Sequence, residues 1–216
     1  MKNGSNGRLT LEHLKQLFPG AVLLPIPLEK KGPMFRGWQK TTYEGTKKAD
    51  YQKRLKTTIS RNGNVGVLLG PPPNGLSTID ADDDELVESF LNRFPWARTT
   101  TTTKGAHGCQ IWFRIKGPYP AERIILLSKP VVDKNEKAKT KPILEFRGGG
   151  GIQSVCFGRH PDGMRYQFLV EVPQVGISNT STEGPTVQRF NGPRLTALIC
   201  YEPKSRMLYP CGELHG

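Results

Sequence analysis

Leu76-Ser77-Thr78-Ile79-Asp80-Ala81-Asp82 is the stretch on which the fold turns. Its apolar and β-branched residues favour a strand. Strand side chains alternate between faces, so Asp80 and Asp82 share one face, with Cα atoms roughly 6.5–7 Å apart. Two carboxylates at that spacing suit one or two Mg²⁺ or Mn²⁺ ions, which prefer oxygen ligands. A plainer reading is an acidic turn in which Asp83 or Asp84 caps the following helix. The local pattern accommodates both.

The flanks supply the frame. Upstream, Val65 to Leu69 reads as a buried strand, turned by Gly70 and Pro71-Pro72-Pro73. Downstream, Asp84 to Phe94 reads as a helix stopped by Pro95, and Gln110 to Ile115 as a strand. Near the start, Leu9 to Phe18 has the spacing of an amphipathic helix, with Thr10 as N-cap and Pro19-Gly20 as stop. Ala21 to Ile26 is an apolar strand, and Lys47 to Ser60 a basic helix.

Pro120 to Leu127 reads as a short helix. Ser128 to Lys141 holds five lysines against Asp133 and Glu136 and reads as a mobile basic loop. Strands are expected over Pro142 to Arg147, Gly151 to Phe157 and Tyr166 to Glu171. Helices and strands intermingle without βαβ alternation, which gives an α+β class with a mainly antiparallel sheet. Residues 1–8 read as a flexible leader, 9–172 as the main folded domain of two intertwined modules, and 173–216 as a linker-like or draped segment.

The bulk numbers restrict the partners. The chain has 216 residues and a formal net charge of +12, which favours a polyanion such as nucleic acid. Cys109, Cys156, Cys200 and Cys211 form no Cys-x-x-Cys pair, which disfavours a zinc ribbon or redox dithiol. No long apolar span directs the chain to a membrane. No Walker A run is present, so a helicase partner is expected outside this chain.

Three further stretches carry candidate chemistry. In Thr103-Lys104-Gly105-Ala106-His107-Gly108-Cys109-Gln110, small residues let backbone N–H groups approach a phosphate. Lys104, His107 and Gln110 are its candidate triphosphate contacts; the alternative is a polar hairpin turn. In Leu144-Glu145-Phe146-Arg147, followed by four glycines, Glu145 and Arg147 share a strand face. Glu145 offers a third carboxylate and Arg147 a phosphate partner; the alternative is a surface ion pair. In Gly158-Arg159-His160-Pro161-Asp162-Gly163, a Pro-Asp-Gly turn sets His160 at its lip, for a phosphate or for no ligand at all.

Taken in order, these motifs resemble the bifunctional primase/polymerase N-terminal domain of the archaeo-eukaryotic primase superfamily. The opening Ala21-Val22-Leu23-Leu24-Pro25-Ile26-Pro27, then Lys30 to Pro33 and Gly37-Trp38, is similar to that family's start. The resemblance spans about Ala21 to Phe168. It implies an archaeo-eukaryotic primase-like core, with an RRM-like sheet and a smaller α/β unit.

It also implies two-metal, template-directed nucleotidyl transfer from NTP or dNTP. Asp80, Asp82 and Glu145 are then the catalytic, metal-binding acids for two Mg²⁺ or Mn²⁺ ions. Lys104, His107, Gln110, Arg147 and His160 contact the nucleotide. The family places a His where this chain has Gln110, so His107, Gln110 or His160 takes that role. Single-stranded or primed DNA is the expected template, tracked by Lys47 to Arg61 and Lys129 to Lys141. Trp38 stacks on a base or fills the core. A cytoplasmic setting in a prokaryotic, phage or plasmid replication context follows from the same resemblance. The rivals are a catalytically weak single-strand-binding module and a metal-dependent nuclease.

Overall fold

The structure is a computed structural model that describes residues 10–70, 75–115, 124–132, 138–173, 186–189 and 198–201, and among the described residues it has two main antiparallel sheets, a two-stranded one and four α-helices. Helix α1 (Leu11–Leu17) is capped by Thr10, whose hydroxyl accepts the His13 N–H at 3.2 Å. Strand β1 (Leu23–Ile26) follows, then the short helix α2 (Tyr43–Thr46) and α3 (Ala49–Ser60). Strands β2 (Asn64–Leu69) and β3 (Leu76–Ala81) lead to α4 (Asp84–Arg93). Then come β4 (Thr102–Lys104), β5 (Cys109–Arg114), β6 (Ile124–Val132), β7 (Ala138–Arg147), β8 (Ile152–Phe157) and β9 (Gln167–Val170).

The smaller sheet runs β1-β2-β8 and the larger β6-β7-β3-β5-β4-β9, every pairing antiparallel. The α+β class with antiparallel sheets is therefore as expected. Alternation along β3 explains its central place. Ile79 and Ala81 face one core with Phe90 of α4, Ile111, Phe113 and Phe146. Leu76 faces the other core with Trp112, Val65, Leu69, and α1 and α3. Trp112 is wholly buried, donates its indole N–H to Thr103 Oγ1 at 2.9 Å, and packs on Phe18 at 4.7 Å. A strand buried on both faces is held rigid, as a site at its end requires.

Two expectations are corrected. The helix over Pro120 to Leu127 is a strand from Ile124 onward; residues 120–123 lie outside the described residues. The basic stretch Ser128 to Lys141 contributes strand on both sides, Lys129 opposite Lys141, with 133–137 outside the described residues. The reason is pairing: β6 is an edge strand, where lysines and Pro130 are tolerated because one side needs no ladder partner. Within residues 173–216, β10 (Thr186–Arg189) pairs with β11 (Leu198–Tyr201). The leader at residues 1–8, and the remainder of 174–216, lie outside the described residues.

Trp38 stands half-buried in a 3₁₀ turn, outside both cores. No helix among the described residues is long and apolar enough to cross a membrane.

Candidate active site

Thr78 Oγ1 and Ser154 Oγ meet at 3.1 Å between the two sheets, and the next residue on that face of β3 is Asp80. A cleft of about 270 Å³ opens there, lined by Asp80, Asp82, His107, Gln110, Lys141, Arg147 and His160 among others. The ladder sets the positions. Asp80 lies directly between Gln110 on β5 and Glu145 on β7, and directly paired residues share a face. Asp82 continues the pairing, its N–H donating to Ile143 O at 2.9 Å.

The cluster of acids divides as their positions demand. Asp83 caps α4, accepting the Glu85 and Leu86 N–H groups at 3.0 and 3.4 Å. Asp84 accepts from Lys104 Nζ at 2.8 Å and from the Gly108 N–H at 3.1 Å, anchoring the turn before β5. Asp80 and Asp82 do neither; they face the cleft.

Both are met by cations. Arg147 reaches Asp80 Oδ2 at 2.9 Å, and Lys141 lies 3.2 Å from Asp82 Oδ2. Burial raises the Asp80 carboxyl above its ordinary range, Arg147 opposes this, and the charge of Asp82 adds to it. Gln110 also hydrogen-bonds Asp80. Three buried polar atoms around this point have no partner among the described residues: Gln110 Oε1, Arg147 Nε and Gln153 Oε1. Unpaired buried donors and acceptors are costly unless a ligand meets them.

The turn behind Asp82 is built for close approach. Gly108 has φ +59°, and a Cβ there would lie 1.7 Å from Ala81 O. On the opposite wall, buried Asn64 donates to Lys30 O at 3.0 Å and Arg159 O at 2.8 Å, and accepts the Arg159 N–H at 2.6 Å. One side chain thus places both Lys31 and His160 on the cleft. His160 Nδ1 accepts the Asp162 N–H at 3.2 Å, so the neutral ring carries its proton on Nε2. The Asp162 carboxylate, 3.1 Å from the same nitrogen, becomes its partner only on protonation. Burial, with Lys31 nearby, holds the His160 pKa below its usual value.

Of the residues expected from sequence, the fold brings Asp80, Asp82, His107, Gln110, Arg147 and His160 to one cleft. Glu145 stands beside Asp80 on the same strand face but is not among the cleft's lining residues. Lys104 is turned away: Thr103, not Lys104, shares the face of Gln110, and Lys104 pairs with Asp84 on α4. Lys141, Lys31, Gln153 and Tyr166 were not singled out for the site. For Lys141 the signal was present, since Lys141, Ile143, Glu145 and Arg147 fall at period two; reading a loop there hid it. Cys109 and Cys156 are free and buried, and burial pushes the Cys109 thiol up to about 12 and that of Cys156 higher, so neither is a reactive thiolate.

Two neighbouring carboxylates suit a divalent oxygen-seeking cation in donor chemistry, and it is chiefly burial, opposed by Arg147, that raises the Asp80 carboxyl. Among the described residues no three His, Cys, Asp or Glu side chains converge at metal-ligand spacing. The cations now at the pair are Arg147 and Lys141.

The family model described as bifunctional DNA primase/polymerase, N-terminal, matches residues 12–182. No curated protein matches the chain.

Proposed function

The chain belongs to the bifunctional DNA primase/polymerase N-terminal family, and on that basis we propose that its cleft joins nucleotides along a DNA template. Membership makes it an enzyme of nucleotidyltransferase type. The finer reading is that a 3′-hydroxyl attacks the α-phosphate of a bound NTP or dNTP and pyrophosphate leaves, on a single-stranded or primed template. The observation that carries it is the placement of Asp80 and Asp82 in one cleft with Arg147, Lys141, Lys31, His107 and His160. Acids and phosphate-binding cations are there within reach of one ligand.

Asp80 and Asp82 would hold Mg²⁺ or Mn²⁺, with Glu145 in support beside Asp80. When bound, such ions lower the pKa of the attacking hydroxyl and neutralise the triphosphate. The chain's own residues do the remainder. Gln110 orients Asp80 through its amide. Arg147 offers a planar fork to a phosphate once a second cation shares Asp80. His160 presents Nε2–H as a neutral donor, and His107 approaches from the glycine turn. Together with Gln110 they are the candidates for the family's His. A helicase partner, if one acts with this chain, lies outside it.

The test is extension of a primed template, and of an unprimed one, with Mn²⁺ or Mg²⁺ and labelled nucleotides. Extension that vanishes in Asp80→Ala and Asp82→Ala supports the reading. Shortened template indicates a nuclease, and a mobility shift without product indicates a binding module; either result overturns it.

A further inference from the structure

The loop between β1 and α2 has two sides. Lys31 turns into the cleft. Leu28, Met34 and Phe35 turn the other way, onto a groove of about 700 Å³ against helix α3. The helix meets that groove with Lys53, Arg54, Thr57, Thr58 and Arg61. With Asp50 these occupy positions i, i+3, i+4, i+7, i+8 and i+11, one face of a helix of period 3.6. The opposite face, Tyr51, Leu55 and Ile59, packs on the core. The charged face is therefore not a by-product of packing.

Charge and apolar surface coincide here. Residues 27–61 hold ten basic and three acidic residues, a surplus of seven in a chain whose net charge is +12. Asp50 is the one acid among the described groove residues, and its carboxylate accepts the adjacent Tyr51 N–H at 2.9 Å. No carboxylate pairs with Lys53, Arg54 or Arg61 among the described residues. Yet the floor is apolar: Met34 is 72% exposed and Leu28 44%. Arg54 sits 5.3 Å over the Phe35 ring, and Tyr51 braces that ring edge-on at 6.5 Å. A duplex presents phosphates outward and hides its bases, so it gains nothing from such a floor. An unpaired strand offers both phosphates and base faces, the combination that basic ridges with aromatic side chains bind.

We propose that the groove between the Leu28–Phe35 loop and the basic face of α3 binds single-stranded nucleic acid, with bases on Met34, Phe35 and Arg54 and phosphates on Lys53 and Arg61. The site deepens the template reading above and rests on it for its role: the strand that leaves the cleft past Lys31 continues into this groove. The binding itself does not depend on catalysis.

Anisotropy of a short fluorescein-labelled oligothymidine with the full chain tests it. Lys53→Glu/Arg54→Glu is expected to weaken binding at least about tenfold and to flatten the dependence of log K on log salt by about 0.7 per lost phosphate contact. Met34→Asp is expected to weaken it about fivefold or more, the lower end of a lost stacking contact. Met34 is so exposed that this variant leaves the fold intact. Parental affinity in both variants overturns the proposal, as does competition by duplex equal to that by single strand. Groove variants that lose binding in a chain that never extends a primer sink the transfer reading and leave the groove standing. Extension dependent on Asp80, with groove variants that bind and extend normally, does the reverse.

Discussion

The Arg147 guanidinium lies 2.9 Å from Asp80 Oδ2, and a second nitrogen of the same group donates to Gln153 O at 2.9 Å. Arg147 and Asp80 are only 24% and 20% exposed. One side chain thus ties the six-stranded sheet to the three-stranded one at the floor of the cleft. Arg147→Ala leaves Asp80 desolvated without its cation and Gln153 O without a donor. We expect a loss of about 1–3 kcal/mol in unfolding stability by urea titration. Arg147→Lys is expected to fall between, because an ammonium restores charge but not two directed bonds.

The proposed nucleotide contacts separate by steady-state kinetics. His107 lines the cleft and, among the described residues, bonds none of the proposed catalytic acids, so His107→Ala is expected to raise nucleotide KM about fivefold or more with little change in kcat. Gln110 bonds Asp80, so Gln110→Ala is expected to lower kcat. Lys104 is held on Asp84, and Lys104→Ala is expected to leave KM unchanged. It should cost little stability, as this pair is exposed. Unperturbed KM in His107→Ala together with a raised KM in Lys104→Ala would reverse the assignment.

His160 gives a pH signature. Its native pKa lies below the ordinary 6.5, so the unfolded chain takes up the proton first as pH falls. Stability associated with this ring is full above 6.5 and declines as pH drops below that value. His160→Gln is expected to flatten that part of the pH–stability curve. A ring titration followed by NMR is expected to show a midpoint under 6.5; one above it contradicts the burial that sets the direction.

Gly108 tests how tightly the turn before β5 is seated. Its φ is +59° and an added Cβ would meet Ala81 O at 1.7 Å, backbone that has no room to yield. Gly108→Ala is expected to destabilise by about 3 kcal/mol or more. Gly163, with φ +91° and open space around it, provides the control. There the substitution carries conformational strain alone, about 1–2 kcal/mol. Equal costs for the two in chemical denaturation would show that contact with β3 contributes nothing.

Much of the fold was legible in local patterns. The helix at Thr10 and the capping by Asp83 follow from short-range hydrogen bonding, which sequence encodes directly. The buried strands β2, β3 and β5 follow from apolar and β-branched runs. The arm of β6 and β7 was not legible, because its lysines read as loop. Only pairing between two segments makes Lys129 and Lys141 neighbours, and pairing is not a property of either segment alone.

The site divides in the same way. Alternation along one strand determined, from sequence by itself, that Asp80 and Asp82 share a face and that Glu145 and Arg147 share another strand's face. The tertiary structure alone decided that these two faces are the same wall. Register across the sheet puts Glu145 and Gln110 on either side of Asp80, brings Lys141 to Asp82, and turns Lys104 to the helix side. Side-chain direction within a strand is fixed by the local backbone, whereas register is fixed by burial of both cores at once. A single residue of slip would move every one of these side chains to the opposite face.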